Sequence, residues 1–197
     1  MASFSPADVL YVTTEYRTMG ELCDGTPWSV AEVDAVVAAG RLPAATYVLP
    51  SGERRFPPDY FVLAENGDLA GLAARFFARY LAAGGTMAEA DADWQGFLSG
   101  EFGVCLYSVT PESMVAKARL VARVEALVEA PAPAEEAWCG ALCTAVTELD
   151  ALLRPFTDYD RERWGDTSRD RLIGRVRQRW PAVFATCGEV RVEELVR

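Results

Sequence analysis

The sequence predicts a mainly α-helical protein, α+β in the strict sense because it contains one small hairpin. Three observations predict this class. Capping-box patterns, in which Ser or Thr precedes Glu by three residues, begin several segments with helical spacing of apolar residues. A single pair of short extended segments is joined by turn residues. The 197 residues are 51% hydrophobic and 24% charged, as expected for a folded chain with a substantial core.

The first third of the chain is predicted to hold three helices, the hairpin and a further helix. Ser5 followed by Pro6 is typical of a helix start. Capping boxes at Thr18 and Ser29 begin the next two helices, and Gly40 ends the second of them. The remaining elements predicted here are a hairpin of Tyr47–Leu49 with Glu53–Phe56 and a helix that restarts at Pro57–Phe61.

The rest of the chain is predicted to be helical. An amphipathic helix covers residues 68–83, and Thr86 caps the next one. Later helices are predicted over residues 111–129, 135–154 and 168–180.

Charge and composition restrict the function classes. Nineteen Lys and Arg against 29 Asp and Glu give a formal net charge of −10, which repels nucleic acid and anionic membranes. Histidine is absent, so His-based triads and His-ligated metals are excluded, and we expect no metal and no cofactor. The N-terminus has no signal-peptide pattern and no apolar run is long enough to span a membrane. We therefore expect a cytoplasmic protein whose five cysteines are reduced.

Residues 18–61 are predicted to run as helix, turn, helix, hairpin and helix. This order resembles the winged helix of MerR and excisionase-type DNA-binding proteins. It implies a winged-helix-like module over residues 1–66, followed by a helical domain over residues 67–197. The would-be recognition helix, Ser29–Ala39, contains no Lys, Arg, Asn or Gln to contact DNA, but does contain Glu32 and Asp34. We expect this module to be a scaffold or a protein-contact surface and not to bind nucleic acid.

A second candidate region, residues 91–107, is rich in glycine and aromatic residues. Asp93 beside Trp94 is a candidate general base, because an apolar wall would raise the pKa of its carboxyl group. The alternative interpretation is a tight crossing of chain segments, with glycines admitting a neighbour and aromatic residues filling the core.

A third candidate region, residues 156–171, has no periodicity before Ser168 and is predicted to be irregular. Its alternating Asp and Arg residues form either a solvated ion-pair network or a substrate-lining loop. In the loop, Arg161 or Arg169 would bind an anionic group and Asp158 or Asp160 an amine.

Lys117 is the single lysine of the chain. Helical spacing places it in the middle of an apolar stripe that includes Met114 and Val124. It either extends past its neighbours to solvent or projects into a pocket and binds an anion.

The chain contains a set of short motifs: Ala39–Pro43, Tyr47–Leu49, Pro57–Phe61, Asp93–Trp94, Leu98–Gly100, Gly103–Leu106, Val109–Glu112, Lys117, Asp158–Arg161 and Ser168–Asp170. Taken together, these motifs resemble a bacterial domain family of unknown function whose members are described as natural-product biosynthesis proteins. Apart from these motifs, the chain is also similar to the two-subunit aziridine-forming enzymes of azinomycin-type pathways.

The leading hypothesis is a specialised-metabolite biosynthesis protein that acts on a small, charged, amino-acid-derived substrate. Its concrete form is intramolecular displacement of sulfate by an amine, which gives an aziridine. The alternative is a non-catalytic partner subunit or a winged-helix-type regulator. The expected partners are the small molecule and either a second protein subunit or a second copy of the chain. The candidate catalytic residues are Asp93, Asp158 and Asp160, and the candidate substrate- and anion-binding residues are Lys117, Arg161, Arg169, Trp94 and Tyr107.

Overall fold

A computed structural model describes residues 3–64 and 68–187. The structure is mainly helical, and in the described part of the chain the one sheet is a two-stranded antiparallel hairpin. The predicted fold class is therefore confirmed. The chain forms two compact units, one made of Met1–Val115 and Phe156–Arg163 and the other of Ala116–Pro155 and Trp164–Arg197. The predicted domain boundary between residues 66 and 67 lies outside the described residues.

Capping boxes begin four helices of the first unit, the three that the sequence predicts at Thr18, Ser29 and Thr86 and a fourth at Ser5, where the sequence predicts an N-cap. In each case a Ser or Thr side chain accepts the third helical N–H, while the acidic side chain at that position accepts the cap's own N–H. The helices of the first unit that precede residue 111 are α1 (Pro6–Glu15), α2 (Met19–Cys23), α3 (Val30–Ala38), α4 (Leu72–Ala82), α5 (Met87–Leu98) and α6 (Phe102–Cys105).

The predicted hairpin is present, with β1 (Tyr47–Val48) antiparallel to β2 (Arg54–Arg55). Its second strand continues into an isolated antiparallel bridge between Arg17 and Phe56. The hairpin is thereby attached to the chain that leaves α1, and the core cluster around Tyr47 forms beneath it.

The helix predicted after the hairpin is replaced by consecutive turns. Tyr60 N–H donates to Pro57 O, Val62 N–H to Asp59 O and Ala64 N–H to Phe61 O. These are bonds between residues three apart, and the two adjacent prolines at 57 and 58 have no N–H to donate. The prediction of a helix at this point is wrong. The order helix, turn, helix, hairpin that precedes it is observed.

The segment predicted to be irregular before Ser168 instead contains helix α9 (Asp158–Trp164). Thr157 caps it: its Oγ1 accepts the Asp160 N–H at 3.1 Å, and its own N–H donates to Asp160 Oδ2 at 2.9 Å. The sequence signal was the Thr157-x-x-Asp160 pattern, a capping box with aspartate in place of glutamate. The helix has few apolar positions, so hydrophobic periodicity did not reveal it.

Helix α7 (Pro111–Glu129) begins in the first unit and continues into the second, which also contains α8 (Glu136–Leu152). A π-helical turn (Asp170–Gly174) leads into α10 (Arg175–Arg179), and α11 (Pro181–Thr186) follows. The second unit packs around buried apolar residues of these elements, including Leu142, Val146, Leu149, Leu172, Ile173 and Val176.

A disulfide joins Cys143 on α8 to Cys187, with 6.1 Å between the two Cα atoms. The expectation that all five cysteines are free thiols is wrong at this pair. The two residues are 44 positions apart, and nothing in the local sequence indicates that the chain after α11 returns to α8. Within the described residues, no helix is long and apolar enough to cross a membrane.

Candidate functional site

A small cleft lies in the first unit. It is lined by the loop before β1 (residues 43–46), the turns after β2 (residues 57–60) and the chain from the end of α5 to the start of α7 (residues 97–109). The enclosed space is about 10 Å³, room for one water-sized group, and the cleft opens to solvent beyond it. Prolines 43 and 57 and the side chains of Phe97 and Val109 make most of the wall apolar.

Two glycines allow the loop before β1 to approach the α5–α6 segment closely. Gly100 has φ +81°, and a Cβ on it would lie 2.6 Å from Ala44 O. A Cβ on Gly103 would collide with Thr46 and Pro57. The Ala44 N–H donates to Leu98 O at 2.8 Å. The glycine-rich region is therefore a close crossing of chain segments, and this crossing forms one wall of the cleft.

Asp59 supplies the charged group of the lining. Its Oδ2 accepts hydrogen bonds from Ser108 Oγ at 2.9 Å and from the Val109 N–H at 2.7 Å. Its Oδ1 is shielded from solvent and accepts no hydrogen bond from any residue that the structure describes. A buried acceptor without a donor costs about 1–3 kcal/mol. The enclosed space beside it has room for one water-sized donor.

One other buried carboxylate oxygen, Asp150 Oδ1, also lacks a hydrogen bond of good geometry. That atom lies 2.5 Å from a nitrogen of Arg169, so a cation neutralises it even though the angle is poor. No ion pair of this kind is found for Asp59 among the described residues. Asp59 Oδ1 is thus a buried carboxylate oxygen with neither a hydrogen bond nor an ion pair among the described residues.

Most hydrogen-bond donors of the lining are already used inside the protein. The Thr46 hydroxyl donates to Gly100 O at 3.1 Å and the Tyr60 hydroxyl to Pro43 O at 2.6 Å. The backbone N–H groups that donate within the protein are those of Ala44, Tyr60, Gly100, Gly103 and Val109. Because the lining is rich in acceptors and poor in free donors, it suits a ligand that donates hydrogen bonds, and the Asp59 charge favours a cation.

Asp160, a predicted catalytic carboxylate, is 1% exposed and is fully engaged in hydrogen bonds. Thr157 donates to its Oδ2 from both N–H and O–H, and the Tyr47 O–H donates to its Oδ1 at 3.0 Å. Burial, with Tyr16 and Asp160 as neighbours, raises the pKa of the Tyr47 hydroxyl, which stays protonated as the donor. The Asp160 side chain therefore anchors the start of α9 to the core of the first unit.

Asp93 and Trp94 lie on α5. The Tyr80 O–H donates to Asp93 Oδ2 at 2.7 Å, and burial together with this bond raises the pKa of the Tyr80 hydroxyl. The Trp94 ring packs on Phe76, with 5.0 Å between ring centroids, and on Phe97, with 5.4 Å. The aromatic core described as the alternative interpretation is thus observed. Asp93 as a base stays a prediction.

The remaining predicted residues lie in different surroundings. The Asp158 side chain is 90% exposed and lies 3.3 Å from Arg161, so these two are brought together as an ion pair. Tyr107 is 47% exposed. In the second unit, Lys117 is half-buried on α7, and Arg169 pairs with Asp150 and donates to Leu153 O. No residue predicted to be catalytic or ligand-binding is among those that line the cleft.

Sequence reasoning missed Asp59 as a site residue, although the Pro57–Phe61 motif that contains it was recognised. The local signal for Asp59 is its position directly after two prolines, where the chain forms turns and not a helix. The donors at Ser108 and Val109 follow about 50 positions later, and only the fold brings them to Asp59.

Comparison with known proteins gives one match. Residues 72–181 match the sequence profile described as "Family of unknown function (DUF6058)". These 110 residues are more than half of the chain and include the α5–α6 wall of the cleft, whereas Asp59 precedes them. No curated protein and no solved structure matches the chain.

Proposed function

The chain belongs to the DUF6058 family of unknown function, and from its own geometry we propose that it binds a small amino-acid-derived amine in specialised-metabolite biosynthesis. The observation that carries the proposal is the Asp59 carboxylate in the wall of a cleft whose donors are largely used within the protein. An ammonium group at the mouth of the cleft supplies the opposite charge. Such charge-assisted bonds are about twice as strong as neutral ones.

The charge of the protein supports the same ligand class. The formal net charge of −10 attracts small cations and raises their rate of encounter. The apolar lining around Asp59 lowers the local dielectric, which strengthens an ion pair that forms there. The open mouth leaves room for the body of the amine outside the cleft.

The pathway class rests on the resemblance to natural-product biosynthesis proteins. In the aziridine-forming version, a carboxylate first takes one proton from the bound ammonium and so frees the lone pair on nitrogen. The nitrogen then forms a bond to carbon as the carbon–oxygen bond to sulfate breaks, which gives the protonated aziridine and free sulfate. We propose Asp59 as the carboxylate that takes this proton. The anion site predicted at Lys117 with Arg161 or Arg169 stays a prediction, because none of the three lines the cleft.

Titration with butylammonium chloride, followed by ¹H–¹⁵N correlation spectra, tests amine binding. We expect saturable shifts at the Val109, Gly100 and Gly103 amides. Asp59→Asn, which keeps the shape but removes the charge, should abolish them. Asp91→Asn removes the same charge from an exposed position on α5 and should leave them unchanged. The proposal fails if no saturable shift is seen. It also fails if the amide resonances of Asp59→Asn shift like those of the parent, because the amine then binds without the Asp59 charge.

Gene disruption with comparative metabolite profiling tests the pathway assignment. We expect loss of an amine-derived specialised metabolite and its return on complementation. An unchanged profile contradicts the assignment without affecting the binding result.

A second candidate function is that of a partner subunit built on the winged-helix-like module. Exposed apolar side chains favour it: Val30 on α3 is 38% exposed and Val48 on β1 is 55% exposed. Arg54 of the hairpin pairs with Asp34 of α3 at 2.8 Å, so an acid of the would-be recognition helix neutralises this arginine.

Light scattering combined with size-exclusion chromatography tests self-association. Co-purification of a second pathway protein would favour a heteromeric form.

A further inference from the structure

We infer that Cys143 and Cys187 form a redox switch: their disulfide holds α11 against α8, and its reduction by a thiol or dithiol releases α11. The inference concerns the second unit alone and does not depend on amine binding in the first unit. Three observations support it: the position of the disulfide, the few other contacts of α11 and the partial exposure of both cysteines.

The disulfide joins a well-packed helix to a weakly packed one. Cys143 lies in the middle of α8, a helix of 17 residues whose buried side chains are those of Trp138, Leu142, Ala145, Val146 and Leu149. Cys187 directly follows α11, which has six residues and no side-chain cap at its start. Helices shorter than about 12 residues are marginal in isolation. Helix α11 therefore needs attachment to α8 to stay folded.

Few side chains other than the cysteine attach α11. Among the α11 residues whose burial is described, Val183 alone is buried, with 8% of its surface exposed, and Phe184 is half-buried. Trp180, directly before α11, packs edge-on against Trp138 of α8, with 5.3 Å between ring centroids. Burial of one valine contributes less free energy than the ordering of six residues costs. The covalent bond therefore decides whether α11 stays docked.

Both cysteines of the bond are accessible to a thiol. Cys143 and Cys187 are each half-buried, and local opening of a weakly packed helix exposes such residues further. Thiol–disulfide exchange requires access to a sulfur atom, and exposed disulfides are the labile ones in proteins. A disulfide enclosed in a core would resist reduction until the chain unfolds. The partial exposure therefore favours a bond that responds to the surrounding redox conditions.

The chemical step is thiol–disulfide exchange. A thiolate of the reductant attacks one of the two Sγ atoms, and the other cysteine leaves as a thiolate that takes a proton. A second thiolate of the reductant attacks the reductant sulfur of the mixed disulfide and displaces the remaining cysteine. The Sγ–Sγ bond is thus replaced by two thiols, which gain two electrons and two protons, while two thiols of the reductant become a disulfide.

Buffers of reduced and oxidised dithiothreitol test the switch in the full-length chain. Thiol alkylation with peptide mass spectrometry measures reduction, and NMR-detected hydrogen exchange measures the docking of α11. We expect the bond to be reduced while the circular-dichroism spectrum of the folded protein is retained. The Val183 amide, which donates to Trp180 O, should then exchange at least about tenfold faster, whereas the Leu149 amide of α8 should change by less than about twofold.

Two serine variants separate the disulfide from other effects of thiol chemistry. Cys187→Ser removes the bond at a residue that follows the last described helix, so the fold of α8 is left intact. We expect fast Val183 exchange in this variant without any reductant. Cys139→Ser is the matched control: it replaces a free thiol on α8, one turn before Cys143, and leaves the disulfide in place. Its Val183 amide should exchange slowly until dithiothreitol is added.

Three results would overturn the inference. If Val183 exchanges equally in the oxidised and reduced protein, or if Cys187→Ser exchanges as slowly as the oxidised parent, non-covalent contacts are sufficient to hold α11. If reduction occurs only where the second unit unfolds, the bond is a permanent cross-link and not a switch. If no buffer of the series yields the disulfide, the pair does not act as a redox couple. None of these results affects the proposed amine binding.

Discussion

Asp160 shows at the scale of one residue how a carboxylate can be structural. It is 1% exposed and accepts hydrogen bonds from Thr157 and Tyr47. It lies in the segment that returns to the first unit, where Phe156 and Tyr159 pack against the cluster that contains Tyr47. Asp160 therefore contributes to the attachment of α9, which is a role in stability.

Asp160→Ala should lower the free energy of unfolding by about 2–4 kcal/mol, because it leaves the Tyr47 hydroxyl and the Thr157 donors buried without an acceptor. Urea denaturation measures the change. Asp158→Ala is the matched control: it removes the same charge from the same helical turn, but its side chain is 90% exposed, and its effect should stay below about 1 kcal/mol. Equal effects of the two substitutions would contradict the structural role.

Acidic capping residues give the protein a defined response to low pH. Burial opposes ionisation of Asp8, yet hydrogen bonds from Ser5 and from the backbone of Tyr159 and Asp158 outweigh it and lower the pKa of the Asp8 carboxyl. Bonds from Thr18 lower the pKa of Glu21 in the same way. A lowered pKa in the folded state contributes stability above the unfolded-state pKa, and this contribution is lost as pH falls through the folded-state value.

We therefore expect the free energy of unfolding to decrease as pH falls below about 4, the usual carboxyl range. Asp8→Asn should be less stable at neutral pH and should lose less on acidification than the parent chain. Urea denaturation at a series of pH values measures both slopes. Parallel slopes for the two proteins would show that Asp8 ionisation is not linked to folding.

At the scale of secondary-structure elements, the α5–α6 connection depends on the absence of side chains at two positions. Gly103 lies within α6, and because it has no Cβ the side chains of Thr46 and Pro57 can pack directly against its backbone. The same approach creates the wall of the cleft, so packing and site geometry have a common origin.

Gly103→Ala should destabilise the protein by about 1–3 kcal/mol, because a methyl group overfills a packed contact. Gly140→Ala is the matched control: Gly140 lies in the interior of α8, and a Cβ there meets no atom within 4 Å among the described residues. It should stabilise the protein by about 0.5–1 kcal/mol through helix propensity. Thermal unfolding compares the two, and destabilisation by both would contradict the packing argument.

At the scale of the whole molecule, charge decides which large partners are favoured. The net charge is −10, although residues 154–179 carry eight arginines. Several of these arginines are paired: Arg169 and Arg177 with Asp150, and Arg175 with Asp166. Paired arginines offer little net positive potential to a phosphate backbone.

We expect no complex with duplex DNA in the nanomolar range at physiological salt, where specific complexes have dissociation constants of about 10⁻⁸–10⁻¹¹ M. Fluorescence anisotropy with a labelled duplex library measures this. A saturable nanomolar complex would contradict this expectation and would show that the protein binds DNA despite the acids of α3.

Local sequence by itself determined the helical class, four helix starts and the hairpin. Each of these depends on residues no more than about ten positions apart, a separation at which caps and turns act. Thr18, Ser29 and Thr86 needed only the glutamate three positions later to define a helix start, and Ser5 was recognised with the help of Pro6. The same rule applied to Thr157 and Asp160, where neither a following proline nor apolar periodicity marked the helix.

Tertiary structure alone decided which carboxylates are satisfied. Asp160 accepts a hydrogen bond from the Tyr47 hydroxyl, 113 positions away, and Asp59 accepts bonds on one oxygen from Ser108 and Val109, about 50 positions away. The sequence shows that an aspartate is present but not how many donors the fold brings to each of its oxygens. Chemical availability depends on that count, since a buried carboxylate with both oxygens bonded is a structural anchor, whereas one with an unbonded oxygen can accept a further donor.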